Sequence, residues 1–597
     1  MKANSLFKSR TGFFQKAALA FIAAMTVNSA RAEITTVFYI MLENRCFTTG
    51  TDTSTSNVLF NNKNGGSPYL TSLCTPNSNA YTVNYNGSTI SQTAHSSFCS
   101  AYHNVFATTT NNNASPYGAN QPPNTSVHPS EPNYIFMEAG SNLSILNDNE
   151  PYGSGGSMAA IETFKSAHPT FTGENLSKLL QEQGSNWTSY TENTCLLNSN
   201  GLDYNKNTTT GGATLTNNIS PPGTRTVPLS SFSGTSATYT NAYNGSHQFN
   251  FATKHTGQLF FTATNGSTTT ANTSPTNPEV SHYAPLEQLA TDLANNTQAP
   301  YCAITPDQFN DGHTALTAAF TYHNYGGTNS GVNQTFTGGS DLARIAQMDN
   351  FCAMIVPQIM ASPVYQAGNA AIVIWTDETE GAPQNDFYHT LTEIVISPQA
   401  KGNAYNSTLN YTHSSDLATL QKIFGVTANT DSGYLNDAAN FSNPTPAGQT
   451  AVVNTGTGLQ TATGQPYFGY GTGTAQDLSD LFKPGVIPTT LPTFDVAPGG
   501  YVFNRKTNTD TQTVTVTNTL SSAVNKPIYL LVGNLSSNTS LLNATGTTAN
   551  HIPGTPYVTV ASSLAAGASA TVTLKFTAPT SGLISDSLSI VTTTGTP

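Results

Sequence analysis

Long apolar runs are scarce in this chain, and two of the clearest stop at carboxylates. Thr36 to Leu42 (TVFYIML) is apolar at nearly every position and runs straight into Glu43. This is the pattern of a strand buried on both faces. Ala371 to Thr376 (AIVIWT) repeats it and ends at Asp377-Glu378, while Ile394 to Ser397 is a third such run, stopped by Pro398. Between them the period changes. Leu342, Ile345, Met348, Cys352, Ile355 and Ile359 recur at helical spacing and predict a helix over Asp341 to Ser362. Glu174 to Gln183 and Leu417 to Phe424 are expected to form shorter helices. Helix followed by buried strand predicts an α/β fold, and carboxylates at strand ends lie where open α/β sheets bind ligands. The polar stretches 50–125 and 197–280 carry no clear period and are expected to be irregular or β-rich excursions around a site.

The pattern changes again beyond a proline-rich segment at Pro484 to Pro492. Thr511 to Asn518, Ile528 to Val532, Tyr557 to Ala561, Thr571 to Thr577 and Leu583 to Val591 read as short β-branched or alternating strands between Gly, Asn and Pro turns. A β-sandwich of about 100 residues is expected, the usual size of an immunoglobulin-like unit. With only His551 and no cysteine there, catalysis is expected upstream. The predicted organisation is a signal segment at 1–32, a catalytic domain at 33–484 and an immunoglobulin-like domain at 485–597.

Lys8, Arg10 and Lys16 precede the apolar stretch Ala17 to Val27, and Ala30-Arg31-Ala32 has the form of a cleavage site. Export to the cell surface, the periplasm or the medium is therefore expected. No later run is long and apolar enough to span a bilayer. Five of the 20 Lys and Arg residues fall in the first 32 positions, which leaves 15 basic against 32 acidic residues and a formal net charge of −17. Such a balance argues against a nucleic-acid partner. An anionic substrate must be held by a local site instead. The six cysteines (Cys46, Cys74, Cys99, Cys195, Cys302 and Cys352) suggest disulfides in an exported protein, with Cys74 and Cys99 the nearest local pair. None has the CxxC spacing of a structural zinc site.

Three strings carry the candidate chemistry. Glu43-Asn44-Arg45 offers a carboxylate and an amide at a strand end. Ser130 sits in HPSEPNY, where flanking prolines are expected to hold the backbone extended and limit its freedom. Asp377-Glu378 places two carboxylates side by side, which repel unless a cation lies between them. A serine hydroxyl needs a metal or base to become a nucleophile, and a phosphate ester needs a cation and a positioned nucleophile. Four histidine segments add to these strings. Lys254-His255 supplies a cation and a proton donor, or is a surface pair. Asn310-Asp311-Gly312-His313 is a simple turn or presents Asp311 and His313 to a ligand. His413 is a ligand or merely opens a helix, and His389 is a weaker candidate. Cys46 beside the site suggests a thiol route, but no C-x5-R phosphate loop surrounds it.

These residues resemble a known family. IMLENRCF is similar to the ENR-S/T-F opening of the bacterial phosphoesterase family that includes secreted acid phosphatases and phospholipases C. HPSEPNY resembles the HPS-x-PNY segment of its acid-phosphatase branch. NWTSYTE, TKHTGQLFF, ITPDQFNDGHT, IWTDETEG and YTHSSDLATLQKIFG resemble later segments in the same order, over roughly residues 35–430. The resemblance implies an alkaline-phosphatase-like α/β/α sandwich around a mostly parallel sheet, and attack by a metal-bound hydroxyl that leaves a phosphoenzyme for water to hydrolyse. Glu43, Asn44, Ser130, Asp377 and Glu378 would form the metal and nucleophile site. Lys254, His255, Asp311, His313 and His413 would contact phosphate, protonate the leaving group or hold a second metal. Cys46 and Thr48 depart from the family pattern, and residues 197–250 look expanded.

The sequence thus predicts an exported, metal-dependent acid phosphatase acting on a phosphorylated small molecule or phospholipid, including phosphoinositides. The alternatives are a phospholipase C-type phosphodiesterase and a non-catalytic surface-binding protein. Oxygen ligands suit a divalent cation such as calcium, magnesium or manganese, and the histidines would admit zinc. A cell-surface or polymer partner is expected for the C-terminal unit.

Overall fold

The computed structural model describes residues 34–48, 66–105, 127–151, 175–194, 227–266, 277–322, 334–378, 390–426, 477–488 and 494–592, with short breaks inside several of these ranges. The signal segment, Cys195 and His389 lie outside the described residues.

The central sheet gathers eight strands: β1 (Thr36–Leu42), β2 (Ser96–Cys99), β3 (Trp187–Thr191), β4 (Tyr283–Pro285), β5 (Tyr301–Thr305), β6 (Ala370–Thr376), β7 (Glu393–Ile396) and β8 (Tyr405–Ser407). Their order across the sheet is β8-β2-β7-β6-β1-β5-β3-β4. β1 pairs in parallel with β5 and β6, and β3 joins β5 and β4 in the same sense. Among these eight strands only β7 runs against its neighbours, β6 and β2. The fold is therefore mixed α/β around a mixed, mostly parallel sheet.

Alternate residues of β1 enter different cores. Phe38, Ile40 and Leu42 pack with α3 (Glu287–Asn295) and α4 (Asp341–Met360) through Leu289, Ile345, Phe351 and Ile355. Val37, Tyr39 and Met41 face the other way, toward α1 (Ser130–Ala139), α2 (Leu176–Glu182) and α5 (His413–Phe424) through Tyr134, Leu180 and Leu417. Helices thus cover both faces, which explains why β1 and β6 are apolar throughout.

Two expectations are corrected. Cys74, Cys99, Cys302 and Cys352 are buried and free, and Cys46 is buried. Cys74 and Cys99 do not pair because they belong to the cores on opposite faces of the sheet. HPSEPNY is not extended. Pro129 is extended at the N-cap, and Ser130 opens α1 with Pro132 in its first turn, where a missing N–H costs no helical hydrogen bond.

Toward the C-terminus, β9 (Phe494–Asn504), β10 (Thr509–Asn518) and β13 (Ser569–Thr577) form an antiparallel sheet in the order β9-β10-β13. β11 (Ile528–Gly533), β12 (Pro556–Ala561), β14 (Ser587–Thr592) and the short Gly546–Thr547 strand form a second. Val514, Val516, Leu574 and Phe576 of the first share an apolar cluster with Leu530, Val532 and Val558 of the second. No helix among the described residues is long and apolar enough to cross a membrane.

Candidate active site

Parallel pairing brings the carboxylates together. In the β1–β6 register Leu42 lies opposite Thr376, so Glu43 and Asp377 leave the sheet side by side. The Asp377 N–H donates to the Leu42 carbonyl at 3.2 Å and the Glu43 N–H to the Asp311 carbonyl at 2.9 Å. Asn44 turns the chain with φ of 43°, and its N–H donates to Asp377 Oδ1 at 2.9 Å. The first residues after β1 and β6 and the loop that follows β5 are thereby locked into one floor.

Ser130 stands over that floor. Its hydroxyl lies 2.8 Å from Glu43 Oε2 and 3.2 Å from Glu378 Oε1. It is the first residue of a ten-residue helix, where the aligned backbone dipoles favour negative charge. Glu378 is held from the other side by His128 Nδ1 at 2.9 Å and by the Asn133 amide at 3.2 Å. His255 Nε2 lies 3.1 Å from Glu43 Oε1, its Nδ1 lies 3.5 Å from Asp311 Oδ2, and its ring stacks on Tyr134 at 4.9 Å between centroids.

A surplus of buried negative charge defines the electrostatics. Burial raises the Glu43 carboxyl well above the usual range, and the charges of Asp377 and Asp311 raise it further. Asp311 is raised for the same first reason, against the His313 N–H that donates to it. Asp377 is pushed up to about 7 by burial and by Glu378. His255 is held well below its ordinary value by burial and the neighbouring Lys254 charge. Burial and Lys254 also bring His313 down to about 4.

Among the described residues no group of three or more His, Cys, Asp or Glu side chains forms a preassembled metal cluster. The donor chemistry nevertheless fits a hard cation. Glu43 Oε1, Asn44 Oδ1, Asp311 Oδ2 and Asp377 Oδ2 are all buried without a hydrogen-bond partner; the His255 contacts to Glu43 and Asp311 are close but not aligned as hydrogen bonds. Unsatisfied buried carboxylate oxygens are costly, and a divalent ion satisfies several at once.

The remaining expected residues lie around this centre. Lys254 pairs with Asp148 and raises a cation beside His255. The His313 N–H donates to Asp311 Oδ1 at 2.8 Å, and its Nδ1 meets Thr314 Oγ1 at 3.0 Å. His413 lies behind the floor rather than on it. Its Nε2 is 2.7 Å from the Asp377 carbonyl, and its Nδ1 is 3.0 Å from Trp375 Nε1 and 2.7 Å from the Tyr102 hydroxyl. Trp375 can only donate, so Nδ1 accepts and Nε2–H donates to Asp377. His413 opens α5 after Thr412, whose hydroxyl makes a capping box with Ser415.

Arg45, His128, Asn133 and Tyr134 were not singled out from sequence. Arg45 is fully buried; its Nε and Nη2 donate to the Gly312 carbonyl at 2.9 and 2.8 Å, and its Nη1 pairs with Asp341 at 2.9 Å. It clamps the Asp311–His313 loop to the turn after β1. The signal for Arg45 was its place inside ENR, and for the other three their place inside HPSEPNY.

No family model matches the chain, and no curated protein matches it. Ps i-CgsB in complex with k-i-k-neocarrahexaose aligns at 11% identity over 69% of this chain and 77% of its own, with a TM-score of 0.31. A candidate sulfatase from Bacteroides thetaiotaomicron aligns at 9% identity over 81% of each chain, with a TM-score of 0.31. A sulfatase from a glycosaminoglycan-metabolism locus of the same organism aligns at 8% identity over 81% of this chain and 87% of its own, with a TM-score of 0.29. Likeness at this level assigns neither family nor activity.

Proposed function

We propose that the chain is an exported, metal-dependent acid phosphatase that hydrolyses phosphate monoesters, phosphoinositides among the candidates, through a phosphoserine intermediate. The observation that carries the reading is Ser130: a hydroxyl on a helix N-terminus, 2.8 Å from a buried carboxylate of Glu43 and facing Glu378. The ordered resemblance from IMLENRCF to YTHSSDLATLQKIFG supports the same chemistry. Within this reading residues 33–484 are the catalytic domain and 485–597 an immunoglobulin-like unit that meets a cell-surface or polymer partner.

Glu43, Asn44, Ser130, Asp377 and Glu378 would hold a divalent cation, with Asp311 beside them. When bound, that ion supplies positive charge for the phosphoryl oxygens and for the ionised hydroxyl. The chain's own groups do the rest. Ser130 gives its proton to Glu43 Oε2 as its oxygen bonds to phosphorus, and the bond from phosphorus to the leaving oxygen breaks. The helix N-terminus beneath Ser130 favours the charge that develops. His255 or His313 protonates the departing oxygen, and Lys254 and Asn44 orient the phosphoryl group. Water then cleaves the phosphoserine.

The test is para-nitrophenol release from para-nitrophenyl phosphate, its phosphocholine diester and para-nitrophenyl sulfate, with and without chelator. Chelator-sensitive turnover of the monoester alone supports the proposal. Turnover of only the diester or only the sulfate moves the chemistry elsewhere, and no turnover at all leaves a binding protein.

A further inference from the structure

Resting on the phosphatase reading, we infer that the leaving-group side of the site takes a small, polyhydroxylated alcohol that carries no second phosphate, so that the preferred substrates are sugar or polyol monophosphates. A cavity of about 250 Å³ is lined by Asp148, Glu150, Ser231, Asn250, Lys254 and Gln308. Two contacts tie it to the nucleophile. Asp148 Oδ1 accepts the N–H of Glu131, the residue after Ser130, at 3.3 Å. The other Asp148 oxygen pairs with Lys254, the residue before His255. One wall of the cavity is thus bonded to the residue after Ser130 and to the residue before His255, and we place the departing alcohol there.

The lining is chemically mixed. Glu150 Oε1 accepts the Ser231 N–H at 2.9 Å, and Ser231 Oγ accepts the Thr253 N–H at 2.9 Å. The amides of Asn250 and Gln308 each add donors and an acceptor, which suits hydroxyls that both give and accept hydrogen bonds. Charge narrows the choice. Two carboxylates face one ammonium, so a second phosphate on the alcohol meets net negative charge. Phe251 also lines the space but is 1% exposed, so no aromatic face is presented to a quaternary ammonium. Size narrows it further, because about 250 Å³ is below the range of roughly 300–1,000 Å³ that holds drug-sized ligands.

The experiment compares kcat/KM for glucose 6-phosphate, fructose 1,6-bisphosphate, phosphocholine and para-nitrophenyl phosphate, using the full chain with saturating manganese. Glucose 6-phosphate is expected to exceed the bisphosphate and phosphocholine by about tenfold or more. Asn250→Leu is expected to lower its kcat/KM about fivefold more than that of para-nitrophenyl phosphate, the worth of about one hydrogen bond. Glu150→Gln is expected to narrow the gap between mono- and bisphosphate. Equal turnover of all four esters, preference for phosphocholine, or an Asn250→Leu loss shared equally by para-nitrophenyl phosphate would overturn the inference while leaving the phosphatase reading intact. Failure to turn over any of them would overturn both.

Discussion

The Ser130 hydroxyl meets Glu43 Oε2 at 2.8 Å across 87 residues of sequence. One partner begins a helix and the other ends a central strand, so the contact joins the two rigid elements on which a nucleophile and its carboxylate can be held. Glu378 lies 3.2 Å from the same oxygen. A hydroxyl has one proton to give, and the shorter contact marks Glu43 as its acceptor.

Stability without divalent cations is expected to fall as pH rises. Asp377 is raised to about 7, so the folded state holds its proton more tightly than the unfolded chain does. Its contribution is complete below about pH 4 and disappears as pH rises through about 7. The lowered histidines act in the opposite sense. The difference between wild type and Asp377→Asn therefore isolates this carboxylate. In chelator the variant is expected to gain in relative melting temperature from pH 4 to pH 7. Added manganese should stabilise wild type more at pH 7 than at pH 4, because cation and proton compete for the same oxygens.

His413 is expected to act through position. Burial holds it down to about 3, and its ring bridges the Trp375 N–H and the Asp377 carbonyl. His413→Ala strands the Asp377 carbonyl, while the Trp375 N–H keeps the Tyr102 hydroxyl at 3.1 Å, and is expected to cost about 1–3 kcal/mol. Denaturant unfolding and kcat should fall together. A large loss of kcat with unchanged stability would place His413 in the chemistry instead.

Gly312 has φ of 102°, and a Cβ there would lie 2.9 Å from Met348 Sδ and 3.3 Å from both Arg45 Cγ and the Glu43 carbonyl. Gly312→Ala must therefore displace the loop carrying Asp311 and His313. A loss of about tenfold or more in kcat/KM is expected, in line with the cost of misplacing catalytic groups by about 1 Å. Activity within twofold of wild type would show that the loop absorbs the change.

The five described cysteines are buried, and burial raises the thiols of Cys74, Cys99, Cys302 and Cys352. In native protein they are expected to resist iodoacetamide and to react once the chain is unfolded. Mass spectrometry of the labelled peptides reads both states. Dithiothreitol should leave the melting temperature unchanged, and a fall would reveal a disulfide.

Sequence pattern revealed the centre of the sheet but not its edges. β1 and β6 are covered on both faces, and their unbroken apolar runs are the direct consequence. β3 (WTSYT) and β2 (SSFC) are just as buried, yet their polar residues hide them. The buried Ser96 hydroxyl, for instance, donates to the Leu73 carbonyl at 2.5 Å. β5 (YCAIT) is too short to stand out between Pro300 and Pro306. In the site, Glu43 and Asp377 were legible because a carboxylate after a buried strand is conspicuous. His128, Asn133 and Arg45 were not, because their roles depend on which strand ends the register brings together. Proline misled at Ser130: the same residue that fixes an extended backbone also starts a helix.

The most direct measurement is phosphate release from para-nitrophenyl phosphate by wild type and Ser130→Ala with saturating manganese, combined with acid-quench mass spectrometry of the Ser130 peptide. Wild type is expected to turn over and to show a phosphorylated Ser130. The variant should fold normally and lose at least about 10³-fold in kcat, the scale seen when a nucleophile is removed. A Ser130→Ala protein that releases phosphate at the wild-type rate would contradict the account.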